Sequence, residues 1–106
     1  MKATIWQNPR CSKSREALAI LRDAGADVTV IDYQKTPPLR DELARVFVSG
    51  GIAPRDALRK DAPAVANEDD ALDLMARDPA TIERPVVETT KGVVIARPPE
   101  RVRDLL

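Results

Sequence analysis

The chain predicts an α/β domain that opens with a parallel βαβ unit, continues through helices and closes with a β-hairpin and a last helix. Three observations carry this. A β-rich segment, an amphipathic stretch and a β-branched segment fill the first 33 residues; such a unit has a right-handed crossover in nearly every known case. Two further β-rich segments flank Thr90-Lys91-Gly92, the pattern of a hairpin. Finally, 106 residues are about one domain's worth of chain. Surface scaling gives roughly 5,800 Å² folded against roughly 16,800 Å² unfolded, enough burial for one core without staples.

Taken in order, Ala3–Gln7 alternates and holds Ile5 and Trp6, which suits a short strand. Asn8-Pro9 breaks it, because proline cannot donate to a ladder and restricts the residue before it. A helix is expected from Ser12, with Ala17, Leu18, Leu21 and Ala24 on one face and Gly25 as its stop. Val28–Tyr33 is the second strand. Thr36-Pro37-Pro38 opens a second helix whose inner stripe is Leu39, Leu43, Val46 and Phe47, ended by Gly50-Gly51. A short helical turn is expected over Pro54–Lys60. Asn67 is the predicted N-cap of a third helix, with Glu68, Asp69 and Asp70 in its acidic first turn and Leu72 and Met75 facing inward. Pro79 ends it. Pro85–Thr89 and Val93–Ala96 form the hairpin, and Pro98-Pro99 launches a terminal helix with Val102, Leu105 and Leu106 on one face. No repeat, low-complexity tract or long linker interrupts this order, so residues 1–106 are expected to form a single domain.

Composition narrows the function. Lys+Arg and Asp+Glu both total 17, and a balanced chain lacks the positive field of a general nucleic-acid or membrane-surface binder. A small local anion site stays open. Apolar runs such as Ala17–Leu21 and Val93–Ala96 fall far short of the ~18 residues of a membrane span, and the start has no signal-like apolar core. The single cysteine permits no internal disulfide. The absence of histidine removes the usual Cys/His zinc set and any histidine base, so no metal is expected. A cytoplasmic monomer is the expectation.

Cys11 stands where the first strand meets the first helix. The unpaired N–H groups and dipole of a helix start favour an anion, and cysteines so placed commonly have a pKa within about 3.5–7.5. Arg10, Lys13 and Arg15 push the same way. Asn8-Pro9-Arg10-Cys11-Ser12-Lys13-Ser14-Arg15 therefore reads as a thiolate loop that also cradles an oxyanion, against the plainer reading of Cys11 as a small buried hydrophobe. Cys11 to Ser14 is Cys-x-x-Ser, and a serine cannot resolve a disulfide. Any redox cycle on Cys11 must take its second thiol from outside. Twelve of the 17 cations are arginine. Arg22, Arg45 and Arg77 look like solvated helix faces, whereas Arg59, Arg84 and Arg97 lie beside turns and prolines. A guanidinium fork suits a tetrahedral oxyanion, although each of the three taken alone also fits a surface salt bridge. Pro85 is a candidate cis-proline, with a trans edge-strand proline as the simpler alternative.

The cysteine loop, with its amphipathic helix, resembles the active-site loop of the glutaredoxin-dependent arsenate reductases. The likeness extends through Pro37-Pro38, Arg40-Asp41-Glu42-Leu43, Leu58-Arg59-Lys60, Glu83-Arg84-Pro85-Val86-Val87 and Ile95-Ala96-Arg97-Pro98. It implies a thioredoxin-like fold with a mixed four-stranded sheet. It further implies Cys11 as nucleophile, Arg59, Arg84 and Arg97 as oxyanion ligands, and Asn8, Arg10, Ser12, Ser14 and Arg15 as the supporting loop. Pro85 would match the cis-proline beside which a thiol partner docks. Arsenate would be the substrate, with glutathione as co-substrate, glutaredoxin as partner and no bound cofactor. Two departures stand out: Gln7 replaces a histidine that members often carry, and the chain ends at Leu106, short of the tail of some relatives. Two rivals share the fold, a glutathione-dependent thiol reductase without arsenate activity and a regulator that binds RNA polymerase. A cysteine phosphatase would need Cys-x5-Arg, whereas the next arginine here is four residues on, at Arg15.

Overall fold

The computed structural model describes residues 1–106. β1 (Lys2–Gln7) runs parallel to β2 (Asp27–Asp32), joined through α1 (Ser12–Asp23). α2 (Arg40–Gly50) and α3 (Glu68–Arg77) follow, with a 3₁₀ turn at Pro54–Ala57 between them and another at Pro79–Thr81 after them. β3 (Val86–Thr89) pairs antiparallel with β1, and β4 (Gly92–Ile95) antiparallel with β3. The mixed sheet has the order β2-β1-β3-β4.

Helices cover both faces of this sheet. Ala3 and Ile5 point to one face with Val87, and pack with Ala17, Leu21, Val102 and Leu105. Trp6 and Val86 point to the other, where Leu43, Val46, Phe47, Leu72 and Met75 close over them with Tyr33. The accessible surface is 5887 Å², close to what the chain length implies.

Several boundaries depart from the expected ones, each for a local reason. Ala24 caps α1 and is exposed, and Gly25 takes φ 80°. Leu39 is the N-cap of α2 rather than a member of its inner stripe and is 76% exposed, while Pro38 is buried in its place. The terminal helix is a 3₁₀ helix, Pro99–Leu105. Pro99, Val102 and Leu105 are its buried residues, and that three-residue spacing is the 3₁₀ period, at which side chains eclipse. Leu106 lies half-buried beyond its end. Arg45 is not merely solvated, because its guanidinium grips both carboxylate oxygens of Glu88 on β3 at 2.9 and 3.1 Å. The Asn67 cap is as expected: its side chain accepts the Asp70 N–H at 2.8 Å, worth about 1 kcal/mol.

α2 ends on two glycines with different tasks. Gly51 adopts φ 63°, the left-handed cap. A Cβ on Gly50 would lie 2.9 Å from both the Cβ and the backbone oxygen of Val93, so this residue lets α2 press against β4. Gly50→Ala should gain about 1 kcal/mol of helix propensity but lose about 1–3 to overpacking. A net loss of up to about 2 kcal/mol in a urea melt is expected.

Candidate active site

The topology gathers the site at one end of the sheet. β1 ends beside Cys11, β3 runs antiparallel to β1 and so begins there at Arg84-Pro85, and β4 returns to the same end just before Arg97. Arg59 is brought in by a separate pairing. Its N–H donates to the Thr81 carbonyl at 2.8 Å and the Glu83 N–H to the Ala57 carbonyl at 2.7 Å, which lays Leu58 against Ile82. Arg59 and Glu83 are thereby set side by side. The Arg84–Pro85 and Arg97–Pro98 peptide bonds are both cis; the second had no counterpart in the sequence reading.

A tight turn delivers the sulfur. The Cys11 N–H donates to the Asn8 carbonyl at 2.9 Å, and the Arg10 N–H to Asn8 Oδ1 at 3.0 Å. Cys11 is then the N-cap of α1, the position whose side chain ordinarily accepts from the second or third helical N–H. Burial pushes the Cys11 thiol up. The Ser14 N–H, the Ser14 hydroxyl, the Arg84 guanidinium and the Lys13 N–H more than offset it, and bring the thiol from its ordinary 9.0 to about 7. The fully buried Ser14 hydroxyl acts here as a nearby dipole, since its geometry stops short of a formed hydrogen bond. At pH 7 about half of such a thiol is thiolate, against ~1% for one at 9.

Two guanidiniums, of Arg97 and Arg84, reach this sulfur, and Arg59 joins them through Glu83. Arg97 Nη2 donates to Cys11 Sγ at 3.5 Å, and Arg97 Nε to the Arg84 carbonyl at 2.7 Å. Arg84 turns toward Cys11 and Tyr33; burial opposes its charge, but these two partners raise its pKa further. Arg59 and Arg97 share Glu83 Oε1, at 3.2 and 3.1 Å. An open pocket of about 480 Å³ lies over Arg59, Lys60, Asp61, Glu83 and Arg97.

The remaining loop residues divide. Asn8 and Ser14 are buried parts of the turn and cap, whereas Arg10 and Ser12 are exposed. Arg15 leans back on the Pro9 carbonyl at 3.1 Å. Gln7 is buried, and its Oε1 has no partner. Two members of the constellation were missed in the sequence. Tyr33 is 1% exposed, and burial raises its phenol while Arg84 pulls the other way. It is the only tyrosine and directly follows β2, the strand parallel to β1, a readable signal that it lies at the cysteine's end of the sheet. Glu83 precedes Arg84 in the sequence, but nothing local marks it as the acceptor between two distant arginines.

The chain matches the ArsC family over residues 6–105. It belongs to the ArsC family. An arsenate reductase of Escherichia coli is 39% identical, covering 97% of this chain and 79% of the relative. One from Rhizobium meliloti is 36% identical over 100% of this chain and 82% of the relative. Among solved structures, an arsenate reductase from Vibrio cholerae superposes with a TM-score of 0.92 at 34% identity, covering 100% of this chain and 98% of that one. These ArsC neighbours have the thioredoxin-like fold, which the sheet order and helix placement here reproduce. No helix is long and apolar enough to cross a membrane.

Proposed function

We propose that the chain is an arsenate reductase in which Cys11 is the nucleophile and Arg59, Arg84 and Arg97 bind the oxyanion. The observation that carries this reading is the 3.5 Å approach of the Arg97 guanidinium to the Cys11 sulfur, with the other two arginines at the same end of the sheet. A thiolate and an arsenate repel each other. Guanidiniums that contact both offset the repulsion and hold arsenic in line with sulfur, an electrostatic contribution that needs no reorganisation as the reaction proceeds.

The sulfur attacks arsenic, an S–As bond forms, and one arsenate oxygen departs as water after taking up protons. A second thiol must then supply the rest of the two-electron reduction, because Cys11 is the only cysteine. Glutathione fills that role: its thiolate attacks the Cys11 sulfur, the S–As bond breaks with its electron pair passing to arsenic, and arsenite leaves as the Cys11–glutathione disulfide forms. Glutaredoxin then reduces that disulfide and returns Cys11 to the thiolate. The Asn8–Arg15 loop holds the thiolate, and Pro85 borders the place where the thiol partner docks. No metal or bound organic cofactor takes part. A monomer in the cytoplasm, where a lone thiol stays reduced, is sufficient.

The test is the pH dependence of Cys11 alkylation, with and without arsenate. The rate should rise with a midpoint near pH 7 and fall when arsenate is added. A midpoint near 9, or alkylation indifferent to arsenate, would remove the basis of the reading.

A further inference from the structure

Resting on the oxyanion reading above, we infer that Glu83 is a specificity-determining residue: its carboxylate selects tetrahedral oxyanions that carry a proton and rejects those that do not. The geometry is particular. Glu83 Oε1 takes the Arg59 Nη1 and Arg97 Nε contacts at 3.2 and 3.1 Å, and the Arg84 backbone N–H at 3.3 Å. The two N–H donors and the Arg97 ion-pair contact all fall on this one oxygen. They fix the carboxylate in place and leave Oε2 with no protein donor, and Glu83 lines the open pocket together with Arg59 and Arg97. Asp61, the other carboxylate there, has an 83% exposed side chain and only a 3.6 Å contact to Arg59 Nε, so solvent screens it.

An anion drawn in by Arg59 and Arg97 must therefore lie against a fixed acceptor. Arsenate and phosphate retain at least one O–H at neutral pH and can donate it to Oε2, forming a charge-assisted hydrogen bond. Sulfate and selenate are fully deprotonated and would set oxygen against oxygen. Selenate is the useful probe, being close to arsenate in size. The pocket thus sorts oxyanions by protonation before the sulfur reacts, and phosphate is refused by its chemistry at the sulfur rather than by its fit.

The experiment measures the concentrations of arsenate, phosphate, selenate and sulfate that half-protect Cys11 from alkylation, in the full chain and in Glu83→Gln. For the unaltered chain, arsenate and phosphate should protect at concentrations at least ~10-fold below selenate and sulfate, the scale of one charge-assisted hydrogen bond. In Glu83→Gln, whose amide can donate as well as accept, the gap should close to within about threefold because selenate and sulfate gain. Equal protection by all four anions in the unaltered chain overturns the inference without needing any variant, as does a gap that survives in Glu83→Gln. Failure of arsenate itself to protect overturns the oxyanion reading and this one with it.

Discussion

Cys11→Ser should abolish arsenate reduction, with a loss of at least ~10⁴-fold in turnover, because the variant lacks the nucleophile and not merely a contact to it. The assay is NADPH consumption coupled through glutathione and glutaredoxin. The fold should survive, since serine is a preferred N-cap residue and Cys11 already stands at the cap of α1. A circular-dichroism melt within about 0.5 kcal/mol of the parent would confirm that only chemistry was removed. Reduction that persists in this variant would mean another group attacks arsenic, and with no other cysteine and no histidine that would dismantle the mechanism. A thiol reductase without arsenate activity would lose its function in the same variant. The unaltered chain separates the two: arsenate turnover belongs to the reductase proposed here, and turnover only with a small mixed disulfide belongs to the rival.

What could be read in the sequence follows from how local each signal is. The βαβ unit, the hairpin, the Asn67 cap and the place of Cys11 each rest on a few neighbouring residues. Local rules reach that far, and the structure agrees. Where an element depended on three-dimensional packing, the reading slipped. Leu39 fitted a helical stripe numerically, but helix α2 starts one residue later and Pro38 fills the space beneath. The terminal segment fits an α-helix on local pattern, yet its buried residues Pro99, Val102 and Leu105 repeat every three positions, the period of the 3₁₀ winding it adopts. The site divides in the same way. Turns and prolines mark Arg59, Arg84 and Arg97 in the sequence; the antiparallel return of β3 and β4 brings Arg84 and Arg97 together, and the Leu58–Ile82 pairing adds Arg59. Glu83 was passed over because its importance comes from Arg59 and Arg97, which are 24 residues behind it and beyond the next strand pair. Tyr33 fits a strand on local pattern, and its bearing on Arg84 exists only once β2 lies parallel to β1.

Arg84→Ala should lower kcat/KM for arsenate by about 10²–10³-fold at pH 7, and the loss should split into two parts that pH can separate. The first concerns the sulfur. Arg84 is among the groups that hold the Cys11 thiol near 7 against burial. Without it the pKa must rise toward 9.0, and the first unit of rise removes roughly fivefold of the thiolate at pH 7 and the second nearly tenfold more. Raising the assay pH restores that share. The second part concerns the oxyanion, which loses a guanidinium whose charge does not vary with pH, and no pH restores it. The profile of the variant should therefore be shifted to higher pH and also depressed at its plateau. Arg84→Lys should correct the shift more than the depression, because an ammonium keeps the charge but cannot present a parallel fork. Full recovery of Arg84→Ala at high pH would confine Arg84 to tuning the thiol, whereas a depressed but unshifted profile would confine it to the anion. The side chain reaches Cys11 and Tyr33 and the carbonyl accepts from Arg97, so the shift follows from the structure and the depression tests the proposed oxyanion role.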